Sequence, residues 1–170
     1  MATEASRLQR TLAYRWLWAL AVAAFALDQL TKLWINHRLP LGSYGKFGGI
    51  EIFPRFFYIV HVGNTGAAWS MFSGMSTVLA LLALATLAAI FHWRHSLGLR
   101  QRAAQICFGL LVGGTAGNLV DRLAHGHVID FLDFHFGGYV FPTFNVADSA
   151  IFIGVCGYIL WSLKQPSSAG

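Results

Sequence analysis

Two aspartates in apolar surroundings are the residues of this sequence best suited to acid–base chemistry. Asp130 lies within "VIDFL", and Asp148 is the second residue of an apolar run that begins at Ala147. A carboxylate at the edge of hydrocarbon costs several kcal/mol unless it reaches water or a partner. Two carboxylates held close together can share a proton and hold a water between a base and an acid. Aspartic-protease chemistry is therefore one hypothesis for this pair.

The charged residues near this pair also have structural interpretations. Asn145 and Asp148 are spaced like the ends of a capping box, and the positive end of a helix dipole favours an anion there. Asp133 is interpreted as an ordinary solvated carboxylate. Asp28 and Lys32 stand four residues apart in the better order for a helical ion pair, so a structural pair is the simpler interpretation.

Two asparagines have open roles at this point. Asn64 opens "NTGAAWS" and either caps the following helix or points into a site. Asn118 lies within an apolar span, where it either clasps another helix or orients a catalytic group. The run "GGTAGNLVDR" puts Asn118 on one helical face with Gly114 and Arg122. Small residues at four-residue steps predict close helix packing in lipid; they are Gly109, Gly113 and Gly117.

The composition indicates that these residues belong to a membrane protein. The chain has 170 residues, of which 56% are hydrophobic and 11% charged, and its mean hydropathy is +0.55. Soluble domains have about a quarter charged residues. We expect one all-α integral-membrane domain over residues 1–170, because four apolar segments are long enough to cross about 30 Å of hydrocarbon as helices. They are 16–35, 67–91, 103–120 and 147–163.

The distribution of charge predicts an orientation. One set of loops and termini carries seven Lys and Arg residues, including Arg7 and Arg10, and the other carries five, including Lys46. The positive-inside rule then puts both termini in the cytoplasm. On the outer side, "GGIEIF" and "RFFYIVHV" flank Pro54 and predict a short hairpin. The stretch after the third span, 121–145, is expected to lie along the membrane surface.

Several classes of function are disfavoured. The net charge of +5 suggests nucleic-acid binding as one function to consider. The basic residues, however, form no stripe interleaved with stacking aromatics, which that function requires. Cys107 and Cys156 lie in apolar segments with no metal-ligand spacing, so we interpret them as buried small hydrophobes and expect no metal or cofactor. The first apolar run resembles a signal peptide, yet "DQLTK" and three further spans follow it, which favours a retained helix.

Five motifs in order resemble the lipoprotein signal peptidase (signal peptidase II) family. They are "DQLTK" at 28–32, "NTGAAWS" at 64–70, "GGTAGNLVDR" at 113–122, "GHVIDF" at 126–131 and "FNVADS" at 144–149. Together they extend the resemblance over almost the whole chain. One departure is Thr115, where we expect alanine.

The resemblance implies a bacterial inner-membrane aspartic endopeptidase, acting as a monomer on the outer side. Its fold would have four transmembrane helices, a small periplasmic β-cradle and a surface helix or loop. It would remove the signal peptide from a prolipoprotein immediately before a diacylglyceryl-modified cysteine. Asp130 and Asp148 match the catalytic pair, and Asp28 and Lys32 match a supporting pair. Other positions match the polar lining of the site, namely Asn64, Gly66, Asn118, Arg122 and Asn145.

Two other functions account for some of the same residues. Intramembrane acids and a lysine could form the pathway of a proton- or ion-coupled transporter. Against this, the acids cluster at one side of the membrane, and spans two to four have no charge in their middle. In a non-catalytic assembly factor, the acids would serve only as caps and clasps.

Overall fold

Four long helices and one small sheet make up the part of the chain that the computed structural model describes, residues 13–45 and 48–165. Arg7, Arg10 and Lys46, which contribute to the predicted orientation, lie outside these residues. The helices are α1 (Arg15–Arg38), α2 (Ser76–His92), α3 (Arg102–His125) and α4 (Val146–Ser162). The strands are β1 (Ile50–Phe53), β2 (Phe57–Asn64), β3 (Val128–Phe136) and β4 (Tyr139–Val140).

The helices fall into two lengths. The helices α1 and α3 have 24 residues each and are long and apolar enough to cross a membrane. The apolar helices α2 and α4 have 17 residues each. At 1.5 Å per residue these lengths correspond to about 36 Å and about 26 Å. Each predicted span therefore corresponds to a helix, and two of the four have clear membrane length.

The second helix begins later than the sequence predicted. The predicted span opened at Ala67, whereas α2 begins at Ser76, and residues 65–75 form a loop that contains a single 3₁₀ turn, Ala68–Ser70. The physical reason is a run of left-handed backbone, which a right-handed helix cannot contain. Its φ values are 54° at Trp69, 54° at Ser70 and 58° at Phe72.

The segments outside the helices pair into one antiparallel sheet of order β1-β2-β3-β4. The predicted hairpin around Pro54 is confirmed as the β1–β2 pair. The stretch expected along the membrane surface forms the end of α3 and then β3, which pairs with β2 so that Val62 lies opposite Asp130. Apart from the four long helices, the 3₁₀ turn is the only helical element among the described residues. It is therefore the only element that could correspond to the implied surface helix.

Glycines let α3 pack closely against both α1 and α4. A Cβ atom at Gly109 would lie 2.7 Å from the carbonyl oxygen of Leu17 on α1. A Cβ atom at Gly154 of α4 would lie 2.6 Å from the carbonyl oxygen of Cys107 on α3. The packing interpretation of the glycine steps in α3 is confirmed. Cys107 and Cys156 are free thiols of intermediate burial, and so are less buried than the sequence predicted.

We expect Gly109→Ala to destabilise the protein by about 1–3 kcal/mol, because the new methyl group overpacks the α1–α3 contact. The measurement is the midpoint of thermal unfolding in detergent. Gly138→Ala is the matched control, since a Cβ atom there meets nothing within 4 Å. Equal midpoints for the two variants would contradict the proposed packing role of Gly109.

Candidate active site

One asparagine holds the two candidate catalytic acids together. The side chain of Asn145 accepts a hydrogen bond from the backbone N–H of Asp148 at 2.9 Å, and the Asp148 carboxylate accepts one from the Asn145 backbone at 3.3 Å. The predicted capping box is therefore confirmed. The Asn145 amide also donates to Oδ1 of Asp130 at 2.7 Å. The cap of α4 thus connects Asp148 to Asp130 on β3.

Two further amides complete the hydrogen bonding of the pair. Asn64, at the end of β2, donates to Oδ2 of Asp130 at 3.0 Å. Asn118 of α3 donates to Oδ1 of Asp148 at 2.8 Å. All four carboxylate oxygens therefore accept a hydrogen bond from an amide N–H. The open role of Asn64 is resolved as a contact with the acid pair, because Asn64 lies too far before Ser76 to cap α2.

The environment of Asp130 favours its protonated form. The side chain is only 2% exposed, and this burial raises its pKa from 3.8 to about 7. The negative charge of Asp148 contributes to this rise in pKa, while the amides of Asn64 and Asn145 oppose it. Because like charges at close range resist double ionisation, the pair is able to keep one proton near neutral pH.

A buried lysine is connected to the acid pair through hydrogen bonds. The Lys32 ammonium lies 2.8 Å from Asp28 and 2.9 Å from Asp121, and all three side chains are buried. It also donates to Oδ1 of Asn118 at 2.9 Å, so Asn118 both clasps α1 and binds Asp148. The predicted Asp28–Lys32 pair is confirmed. Asp28 in turn accepts from the backbone N–H of Ala147 at 2.9 Å, beside Asp148.

Two members of this network, Asp121 and Gln29, are not among the site residues predicted from the sequence. Asp121 accepts from the backbone N–H of Ile129 at 3.0 Å and thereby holds the chain directly before Asp130. Gln29 donates to both Asp121 and Asp28 at 3.1 Å. The spacing offered one signal, because Asp121 follows Asn118 by three residues and so shares its helical face.

Arg122 and Gly66 connect α3 to the loop that precedes α2. The Arg122 guanidinium donates to the carbonyl oxygen of Gly66 at 2.9 Å and to that of Asn118 at 3.3 Å. Gly66 donates its backbone N–H to Oδ1 of Asn64 at 2.8 Å. A Cβ atom at Gly66 would lie 2.5 Å from the carbonyl oxygen of Met71, so this turn excludes a side chain.

Asp133 does not belong to the acid pair, and its predicted exposure is wrong. Its side chain is fully buried, 2.8 Å from Nε2 of His135 and 3.4 Å from the hydroxyl of Tyr44. Side chains alternate along a strand, so Asp130 and Asp133, three residues apart on β3, point to opposite faces of the sheet. Burial against the loop that carries Tyr44 replaces the solvent contact that the sequence suggested.

A cleft of about 720 Å³ opens in front of the acid pair. Its polar end contains Asp130, Asp148 and Arg122. From there it follows α4 along an apolar wall whose members include Ile151, Phe152 and Val155. The cleft therefore joins a carboxyl pair to a surface suited to apolar chains. In the described part of the sequence, no group of three or more His, Cys, Asp or Glu side chains is arranged to hold a metal ion.

Comparison with known proteins identifies close relatives. A family model described as signal peptidase (SPase) II matches residues 20–164. A lipoprotein signal peptidase of Aeromonas hydrophila is 45% identical over 86% of this chain and 86% of its own length. One from a Nostoc species is 39% identical over 91% of this chain and 94% of its own. A solved bacterial membrane enzyme has a TM-score of 0.78 at 34% identity, covering 89% of this chain and 90% of its own.

We expect Asp121→Asn to destabilise the protein by about 3–5 kcal/mol, because it removes one of the two carboxylates that neutralise the buried Lys32 ammonium. The thermal midpoint in detergent measures this loss. Glu51→Gln, which makes the same chemical change on the exposed strand β1, is the control. A midpoint for Asp121→Asn equal to that of the control would refute the supporting role of Asp121.

Proposed function

This chain belongs to the signal peptidase II family, and on that premise we propose that it is an aspartic endopeptidase whose catalytic pair is Asp130 and Asp148. It is a membrane-embedded bacterial protease that removes signal peptides from prolipoproteins. The transporter alternative has no support among its relatives.

The observation that carries the catalytic proposal is the arrangement of the two carboxyl groups. Asp130 is buried and Asp148 is partly buried, all four oxygens accept a bond from an amide, and both residues border the 720 Å³ cleft. Amide donors orient a carboxylate without neutralising it. The pair therefore keeps both an acid and a base available near pH 7.

The proposed reaction adds water across the scissile peptide bond. One carboxylate removes a proton from water as the water oxygen attacks the carbonyl carbon, and the protonated carboxyl donates its proton to the carbonyl oxygen. The resulting diol collapses when a carboxyl group protonates the leaving nitrogen and the C–N bond breaks. The products are a signal peptide with a new carboxylate and a mature chain with a free amine. The proton belongs to the pair as a unit.

All four helices cross the membrane in this proposal. Large apolar side chains lie exposed on both shorter helices, such as Leu81 and Leu82 on α2 and Phe152 and Leu160 on α4. Such faces suit lipid contact. The sheet and the acid pair would face the outer side, and both termini the cytoplasm, in accordance with the basic residues Arg94, Arg100 and Arg102 at the other end. One chain supplies the whole cleft, so a monomer suffices.

The proposed substrate carries a diacylglyceryl group on the cysteine that follows the cleavage site. Each buried methylene of an acyl chain contributes about 0.8 kcal/mol, so two chains anchor the cysteine firmly at the membrane interface. The apolar wall of the cleft along α4 offers a surface for such chains. Anchoring at this depth would hold the scissile bond beside the acid pair, which is a positional contribution to rate.

We expect Asp130→Asn and Asp148→Asn each to lower kcat/KM by about a thousandfold or more, since an amide keeps the shape but cannot exchange the proton. The measurement is gel-shift cleavage of a lipidated prolipoprotein by purified enzyme in detergent.

Two variants serve as controls for the acid pair. Glu51→Gln makes the same change at an exposed site and retains activity. Asp133→Asn lowers the thermal midpoint but leaves the activity of the folded fraction within about threefold, because Asp133 is buried on the opposite face of β3. Substantial cleavage by either variant of the pair would contradict the catalytic assignment.

The activity is expected to decline as the pH rises above about 7, the pKa of Asp130, because the pair then loses its shared proton. Asn64 lowers this pKa by donating to the carboxylate, so Asn64→Ala moves the decline to higher pH. The profile of kcat/KM against pH for the two enzymes tests the shift. A decline at the same or lower pH in the variant is the outcome that argues against this role of Asn64.

A further inference from the structure

A second, smaller cavity lies beside Asp130, apart from the large cleft. Its volume is about 160 Å³, and hydroxyl side chains make up much of its wall: Thr65, Ser70, Ser73 and Thr143. We call it the hydroxyl pocket. Its described lining comes from the ends of strands and from loops, and no residue of the four long helices contributes. Asp130 is the one acid that lines both this pocket and the cleft.

The two cavities differ in direction and in chemistry. The cleft follows α4 as far as Val155, into the apolar part of the helix bundle. The hydroxyl pocket lies on the sheet side of Asp130, between the end of β2 and the loop before α2. Trp69, Thr143 and Asp130 line both cavities, so the two cavities adjoin at these residues. A substrate whose scissile bond lies beside Asp130 continues in both directions from that bond. It therefore needs a binding surface on each side of Asp130.

We propose that the hydroxyl pocket binds the side chain of the residue that follows the lipidated cysteine, and that it favours a polar one. This rests on the proposed function of the acid pair. The signal peptide is apolar and stays in the bilayer, which suits the cleft along α4. The mature chain leaves the bilayer, so its first residues meet the polar cavity on the sheet side.

The size and chemistry of the pocket set the preference. A volume of about 160 Å³ is close to that of a cavity that holds one benzene ring, so the pocket has room for a single side chain. The hydroxyl oxygens of Thr65 and Ser73 lie 3.2 Å apart, within hydrogen-bond distance. The Thr65 hydroxyl also accepts a hydrogen bond from the backbone N–H of Gly74 at 3.1 Å. A hydroxyl has one donor and two acceptor positions, so the Ser73 hydroxyl keeps bonding capacity for a polar side chain.

A reciprocal exchange of charge tests the contact. Ser73 is exposed at the rim of the pocket, so Ser73→Asp and Ser73→Lys both leave the buried core intact. The substrates are two lipidated prolipoproteins that differ only in having Lys or Asp after the cysteine. Ser73→Asp is expected to raise kcat/KM for the Lys substrate over the Asp substrate by about fivefold relative to wild type, and Ser73→Lys to reverse that ratio.

Gly138→Asp and Gly138→Lys are the matched controls. Gly138 lies outside the pocket, in the turn between β3 and β4, and a Cβ atom added there meets nothing within 4 Å. Equal ratios in the Ser73 and Gly138 variants would mean a general field effect and overturn the proposal. A loss of rate on both substrates alike in the Ser73 variants would mean that the pocket serves water only, and would overturn it as well. Failure of wild type to cleave either substrate would instead refute the proposed function.

Discussion

The buried ammonium of Lys32 is the constraint on which the rest of the site depends. A charge removed from water has to be neutralised and hydrogen-bonded, and here the partners are Asp28, Asp121 and Asn118. Asp28 lies on α1 with Lys32, whereas Asp121 and Asn118 lie on α3, so the Lys32–Asp121 ion pair and the bond to Asn118 join the two helices at the level of the site. Backbone bonds from Asp28 to α4 and from Asp121 to β3 then locate the two elements that carry the acid pair.

The side chains that donate hydrogen bonds to the candidate acids are asparagines and not cations, and this affects the pKa of the carboxyl groups. An arginine or lysine bonded to either carboxylate would favour its charged form and keep its pKa low. The amides of Asn64, Asn118 and Asn145 orient the oxygens but leave the charge in place. The Lys32 ammonium donates to Asn118, which in turn donates to Asp148. Two carboxyl groups are therefore positioned tightly while one of them keeps a pKa near neutrality.

The cavities around the pair follow the division of the fold into helices and sheet. The apolar cleft is bordered by α4, whose side chains suit the interior of a bilayer. The hydroxyl pocket is bordered by strand ends and a loop. Irregular backbone of this kind is tolerated where it is not exposed to lipid. The left-handed residues Trp69 and Ser70 delay the start of α2 and form part of this second wall.

The sequence by itself determined the features that depend on local spacing: the capping box of Asn145, the Asp28–Lys32 pair, the glycine steps of α3 and the hairpin at Pro54. Each involves residues on one element or on neighbouring strands, where helical or strand geometry relates position directly to contact. Its motifs also led to the family. Only the tertiary structure decided that Asn64 and Asn145 meet at Asp130, that Asp121 holds β3, and that Asp133 is buried on the opposite face. Those features depend on contacts between different elements, and helix packing and strand register, which spacing does not encode, bring these elements together.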